Sequence, residues 1–511
     1  MLARGLILVH RWLGVALCLC FLLWFPSGIG MMYFPFPSVG ADDRLERAPA
    51  LAASTIAVSP AEAAGTWGVA PDDLRLTTFD GRPAYRFRGG GPPGGAGGPV
   101  LYADTGDEQG DVPMSMVRRL AEAWTGLPVE EARAETLRDV DQWTIQHRLA
   151  DLSPVWKFSW PTGEQAYVSQ GSGEVVQYTT RASRLGAYLG PIPHWFYFTP
   201  LRKHGPEWSR IVIWSSGVGT IAAILGVAIG LWRYSPSKRY RLRGVPTGIP
   251  YSGQKRWHAV LGLVFGVATV TYAFSGMLSM DPFPSLTSGQ GAGPRARPPN
   301  IRGALRGRLG PDAFDGKHPR EALAQLGTAA VKELELTSFD GEPFYLARLE
   351  GGDSRIVPVH GEPRDAFAQE AIVRLVTEAA GGEVETRLLT RYDRYYLDRT
   401  RQQPLPVVLA HLTTGERTRY YIDPDTATVV GTYSSRNWVG RWLYNGLHSL
   451  NFPWLYNYRP LWDIVVIALM LGGTALGATS LVLAWRVLGR WLARALRRPA
   501  AQGAALSEDL A

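Results

Sequence analysis

Four stretches of the chain run through apolar, small and aromatic residues without a Lys, Arg, Asp or Glu: Trp12 to Phe36, Ile211 to Trp232, Trp257 to Met280 and Ile464 to Trp485. A bilayer core about 30 Å thick needs about 20 residues at 1.5 Å of helical rise each, so every stretch is predicted to span a membrane. The first is too long for the apolar part of a cleaved signal, and its pattern returns deep in the chain as the third, so it reads as a retained span. Between the spans the pattern shortens. Ser59-Pro60-Ala61-Glu62 reads as an N-cap with Pro in the first helical position, followed by a strand, an Asp80-Gly81 turn and a second strand. A helix before a hairpin recurs at Val112 to Trp124, then Val155 to Trp160 and Ala166 to Val176. Gly89 to Pro99 is nearly all Gly and Pro and reads as an extended hairpin loop without chemistry.

The chain has 511 residues, 46% of them hydrophobic and 19% charged, with a formal net charge of +8. That excess sits beside the spans. Arg233, Lys238, Arg239, Arg241, Arg243, Lys255 and Arg256 lie between spans two and three with no acidic residue among them, and Arg486, Arg490, Arg494, Arg497 and Arg498 follow span four. Lys and Arg collect on the cytoplasmic side, so both termini are expected inside and the stretches of roughly 37 to 207 and 281 to 460 outside. A basic groove for nucleic acid is not what this charge describes.

The chain also repeats. His10-Arg-Trp-Leu-Gly14 matches His258-Ala-Val-Leu-Gly262, Ser27-Gly28 matches Ser275-Gly276 at the same offset, and PFPS follows in both. Leu74 to Tyr85 (LRLTTFDGRPAY) matches Leu334 to Tyr345 (LELTSFDGEPFY), and Tyr167 to Val176 matches Tyr421 to Val430. Gly186, His194 and Trp208 have counterparts in Gly440, His448 and Trp462. Two tandem copies are expected. The predicted organisation is transmembrane helix 1–36, outer domain 37–207, helix 208–234, basic loop 235–255, helix 256–280, outer domain 281–460, helix 461–486 and tail 487–511.

The HRWLG and WHAVLG span starts, the FDGxPxY hairpins and the GEVV strand end resemble the PepSY-associated transmembrane family of iron-regulated membrane proteins, over nearly the whole chain. The resemblance implies a fold of four transmembrane helices with two periplasmic α+β PepSY-like domains in a bacterial inner membrane. The family includes reductases of ferric siderophores that carry two b-type haems, so it also implies iron reduction.

Of nine histidines, His10, His194, His258 and His448 fall on repeat-related positions near membrane boundaries. His10 and His258 lie near one face, His194 and His448 near the other. Two copies related by a pseudo-twofold along the membrane normal would bring equivalent imidazoles face to face, as the iron of a bis-histidine haem requires. Two haems are expected, one per leaflet. His147, His204, His318, His360 and His411 have no repeat partner and read as surface residues. Cys18 and Cys20 are the only cysteines and lie inside span one, which excludes a CxxCH attachment and makes the haem b-type. Gly226 with Gly230, and Gly473 with Gly477, have the spacing of close helix packing.

No cytoplasmic stretch reads as a domain for NAD or flavin, so quinol or a separate membrane reductase is the expected donor, and a ferric siderophore or other ferric chelate the acceptor. Trp195, Tyr197, Trp438, Trp442, Tyr444, Trp454, Tyr456 and Tyr458 read as an aromatic belt. Arg181, Arg184, Trp195, Tyr197, Arg436, Arg441 and Tyr444 are candidates for a platform receiving an anionic chelate. A transporter of an iron-related solute and a non-enzymatic, partner-binding envelope protein are the alternatives. The orientation is tested by reporter fusions: those at Ser237 and after Ala500 are expected to be active only in the cytoplasm, one at Gly95 only outside. An inside signal at Gly95 would overturn it.

Overall fold

The computed structural model describes residues 2–88, 98–146, 152–283, 299–398 and 402–497. His147, most of the Gly89–Pro99 loop, the end of the second PFPS, Arg498 and Ala500 lie outside them. The chain divides into two compact units: a helical one made of 1–36, 185–290 and 438–511, and a β-rich one made of 37–184 and 291–437.

Four helices of the first unit are long and apolar enough to cross a membrane: α1 (Leu2–Tyr33), α2 (Gly205–Arg233), α3 (Gly253–Leu278) and α4 (Leu461–Arg497). Each exceeds its charge-free stretch. α1 begins early enough to put His10 two turns inside the helix, and α4 carries Arg486, Arg490, Arg494 and Arg497 as helix rather than tail. The outward side chains include Trp214, Val264 and Trp485 at 71%, 64% and 78% exposure. Such surface is costly in water and at ease in hydrocarbon, so the unit belongs in a lipid bilayer.

Helix α1 packs on α2 and α4, and α3 packs on the same two helices, which places α1 and α3 on one diagonal of the bundle. Neighbours run antiparallel: on α4, Gly473 and Gly477 lie against Phe25 and Leu22 of α1, and on α2, Gly226 and Gly230 lie against His10 of α1 and Leu263 of α3. The glycines permit this spacing because any β-carbon at Gly473 would collide with the Phe25 ring.

Among the described residues of the β-rich unit, fourteen strands form three sheets. The first half supplies β1 (Leu74–Phe79), β2 (Arg82–Phe87), β3 (Val100–Tyr102), β4 (Arg133–Thr136), β5 (Val155–Ser159), β6 (Gln165–Ser169) and β7 (Glu174–Thr179). The second supplies β8 (Val331–Phe339), β9 (Glu342–Leu349), β10 (Ser354–Pro358), β11 (Val384–Leu389), β12 (Val407–Leu412), β13 (Arg419–Asp423) and β14 (Thr428–Tyr433). Both Asp-Gly turns have positive φ at their two central residues, 47° and 79° at Asp80 and Gly81, 53° and 79° at Asp340 and Gly341. That twist suits a two-residue hairpin. Each aspartate is held by an arginine of a following helix, Arg119 at 2.6 Å and Arg374 at 2.5 Å.

The sequence reads two separate outer domains, whereas the structure joins the halves. β1 pairs antiparallel with β8, Leu76 opposite Leu334, giving one six-stranded sheet ordered β10-β9-β8-β1-β2-β3. Its core takes Ile56, Leu74, Leu76 and Tyr85 from the first half and Phe314, Leu334, Leu336 and Tyr345 from the second. Pairing covers an edge strand on each hairpin that would otherwise expose its N–H and C=O groups. At either end, a helix (Met114–Thr125 or Gln369–Ala380) shares a core with a four-stranded sheet, β4-β5-β6-β7 or β11-β12-β13-β14.

Helix packing predicts a sharp contrast along α4. Gly473→Leu should destabilise the bundle by about 1–3 kcal/mol, through overpacking against Phe25. Gly489→Leu, with open space around its β-carbon, should leave the melting temperature in detergent unchanged. Equal melting temperatures for the two variants would contradict this packing.

Candidate metal centres in the helical bundle

The diagonal placement of α1 and α3 brings the repeat-related histidines together. His10 on α1 and His258 on α3 face each other with ring centroids 6.2 Å apart. His194 sits on the short helix Pro191–Trp195, and His448 on Leu447–Ser449 after a π-helical turn, Val439–Gly446. Although both precede α2 and α4 in the chain, the first packs along α1 and the second along α3. Their rings are 5.9 Å apart. Seventeen residues separate His10 from Ser27 beside His194, and His258 from Ser275 beside His448, which sets the two pairs about 25 Å apart in helix rise.

Each imidazole is oriented through Nδ1. For His10 the partner is the Ala222 carbonyl at 2.9 Å; for His258 it is the Thr479 and Ser480 hydroxyls at 3.3 and 3.4 Å. His194 Nδ1 meets Ser27 Oγ at 3.2 Å and the Trp24 carbonyl at 3.1 Å, and His448 Nδ1 meets Ser275 Oγ at 3.1 Å. No Nε2 of the four has a partner among the described residues. This is how a ligating histidine is normally prepared: one nitrogen fixed by a neighbour, the other left for the metal. Burial pushes His194 and His448 below the ordinary histidine range, which favours the neutral, ligating form.

The donor set limits what could bind. Among the described residues no three His, Cys, Asp or Glu converge, so each pair offers a metal two imidazole nitrogens and needs the remaining ligands from elsewhere. The macrocycle of a haem supplies four. Two metal–nitrogen bonds of about 2 Å, with about 1 Å from each nitrogen to its ring centre, put trans imidazole centroids about 6 Å apart, as both pairs are. Space beside the first pair is open one turn along: a β-carbon at Gly14 would meet nothing within 4 Å, and at Gly262 only Leu476, at 4.0 Å. Beside the second pair, Gly28 and Gly276 lie next to the rings: a β-carbon at Gly28 would stand 3.0 Å from Met470 Sδ and 3.6 Å from His194, and one at Gly276 3.5 Å from His448. The residues fit the group.

The other candidates scatter. In the β-rich unit, Arg181 donates to the Pro161 carbonyl at 2.8 Å, Arg184 to Thr179 Oγ1 and the Gly163 carbonyl, both at 2.8 Å, and Arg436 pairs with Glu416. In the helical unit, the Trp195 carbonyl accepts from Trp208, and Tyr197 sits between those two rings. Arg441 donates to the Asn451 carbonyl at 2.8 Å and lies over Trp442. Of these seven, Tyr444 lies against a paired histidine, its ring 5.4 Å from His448. Of the belt residues, Trp438, Trp454 and Tyr458 are exposed, while Tyr456 is buried against Trp462.

Sequence reasoning missed the orienting groups. Ser27 and Ser275 were visible as a matched pair but carried no role; Thr479, Ser480 and the Ala222 carbonyl had no signal. Tyr272 was missed as well: it is 7% exposed, its hydroxyl has no hydrogen-bond partner, and its ring lies 6.0 Å from His448 and 6.2 Å from Phe25.

Fold and sites together define an integral-membrane helical bundle with two facing, half-buried histidine pairs. Comparison with protein-family models and with curated proteins gives no match. The serine contacts carry a test of their own. Ser27→Ala and Ser275→Ala each remove a partner of a buried Nδ1 and should cost about 1 kcal/mol, read as a lower melting temperature in detergent. Ser279→Ala, whose exposed hydroxyl meets only the Gly276 carbonyl, should cost less. A loss at Ser279 as large as those at Ser27 and Ser275 would contradict the orienting role.

Proposed function

We propose that the chain is a duplicated, di-haem b oxidoreductase of a bacterial inner membrane, passing electrons outward to a ferric chelate. The observation that carries this reading is the pairing itself: two pairs of opposed imidazoles, each about 6 Å between centroids, one near either end of a bundle with spanning length. His10 and His258 would hold one haem and His194 and His448 the other; haem iron supplies one-electron chemistry between its ferrous and ferric forms. The protein's own share is to hold each imidazole in its tautomer through Nδ1 and to exclude water from the ligating nitrogens. Phe21, Trp24, Phe25 and Tyr272 form a run of aromatic contacts of 5.8 to 6.2 Å beside the second pair.

The basic loop between α2 and α3 supports an orientation with that loop in the cytoplasm and the β-rich unit outside. On that orientation His10 and His258 lie on the donor side, supplied by quinol or a membrane reductase. The motif resemblance to the PepSY-associated transmembrane family agrees with a ferric siderophore or similar chelate as the acceptor.

Substitution separates the pairs. His194→Ala should lower the haem content of the purified protein by about half and stop quinol-driven reduction of an external ferric chelate. His10→Ala should remove the other half and leave the outer haem reducible by dithionite but not by quinol. His194→Ala with His448→Ala should lose no more haem than either alone, because both act on one cofactor. Equal partial losses from all four single changes, or external reduction surviving His194→Ala, would refute the assignment.

A further inference from the structure

The two four-stranded sheets carry different chemistry at one matched place. In β4-β5-β6-β7, Tyr167 donates its hydroxyl to Asp141 at 2.7 Å. Lys157, cross-strand from both Tyr167 and Glu135, reaches Asp141 at 3.1 Å and Glu135 at 3.5 Å. In β11-β12-β13-β14, Tyr421 likewise donates to Asp393, at 3.2 Å, but the residue cross-strand from Tyr421 is Leu409, and the one beyond it is Arg387. A long ammonium chain is thus replaced by a shorter, uncharged one, and a carboxylate by a guanidinium. A cavity of about 480 Å³ opens at this place, lined by Glu385, Arg387, Asp393, Arg394, Leu409, His411 and Arg419 among others.

The two carboxylates in this lining are already answered. Asp393 accepts from Tyr421 and from the backbone N–H groups of Tyr395 and Tyr396 at 2.8 and 2.7 Å, and Glu385 meets His411 Nδ1 at 3.1 Å. Two of the cationic groups, Arg387 and Arg419, are not answered in the same way. Arg387 makes no hydrogen bond or ion pair among the described residues, and Arg419 contacts the Tyr395 ring through its guanidinium at 4.4 Å. His411 Nε2 is buried with no hydrogen-bond partner. Register puts these groups together: His411 is the cross-strand neighbour of both Glu385 and Arg419, and Arg387 lies two residues from Glu385 on the same face. Planar guanidinium forks suit the paired oxygens of carboxylate or phosphoryl groups, and a buried imidazole nitrogen supplies one further donor when protonated.

We propose that this cavity binds a small oxyanion ligand, carboxylate or phosphoryl, held by Arg387, Arg419 and His411. The site lies wholly within the second half of the β-rich unit and is independent of the haem assignment.

The test is calorimetric titration of the full-length protein in detergent with citrate and, separately, with inorganic phosphate. At least one should bind saturably with a Kd at or below about 1 mM; citrate alone would name a carboxylate ligand, phosphate alone a phosphoryl one. Arg387→Glu combined with Leu409→Lys rebuilds the ion network of the first sheet and should weaken binding at least about tenfold, the loss expected when charge-assisted contacts are removed. Arg419→Gln, milder for the fold, should weaken it to a similar degree. Lys157→Leu, in the other sheet, should leave it unchanged. Absence of binding by both anions at millimolar concentration, or binding indifferent to both cavity variants, would overturn the proposal.

Discussion

An imidazole enclosed among hydrocarbon side chains is costly unless its nitrogens are engaged, and the helical unit is organised around meeting that demand four times over. Each Nδ1 finds a carbonyl or hydroxyl: Ala222 for His10, Thr479 and Ser480 for His258, Ser27 and Ser275 for the other two. These partners come from more than one helix, so the histidines lock the relative depth of the helices that supply them. The small residues follow from the same demand. Gly226 lies under His10, where a β-carbon would stand 2.8 Å from the ring and displace it, and Gly28 and Gly276 lie beside His194 and His448 at ordinary contact distance. What is left over is the Nε2 of each ring, and in each layer the two rings stand at the spacing that one metal bound between them would require.

A related economy holds the β-rich unit together. Neither hairpin, β1-β2 nor β8-β9, would bury both edges alone, and pairing β1 with β8 merges them over one core that draws Tyr85 and Tyr345 into equivalent places. Their hydroxyls donate to the carbonyls of Val58 and Lys317 at 2.9 and 2.7 Å. Likeness of framework with divergence at single positions then leaves room for chemistry. Lys157 closes the first four-stranded sheet, and Leu409 opens the second.

Much of this was legible in the sequence because the signals were local or periodic. Charge-free runs gave the four long helices, the Asp-Gly pairs gave the hairpins, and matched offsets picked four histidines out of nine. The joint sheet was not legible, since β1 and β8 are some 250 residues apart and nothing in either strand names its partner. Nor was the path of His194, which looks like an approach to α2 until the helix Pro191–Trp195 packs against α1. Single orienting groups such as Thr479 and the Ala222 carbonyl are set by helix rotation, which composition does not encode. The arginines offered as a substrate platform were chosen by type and proximity along the chain; hydrogen bonds to Pro161, Thr179, Gly163 and Asn451 already engage three of them.

The electron-transfer role of the helical unit depends on each facing pair holding one iron. The most direct measurement is the absorption and low-temperature paramagnetic resonance spectrum of the purified wild-type protein from haem-replete cells, with haem quantified per chain. Two non-covalent b-type haems per chain, both low-spin and six-coordinate, are predicted. Protein that is free of haem, or that carries high-spin haem with one imidazole ligand, would rule out an iron held between the two rings of each pair.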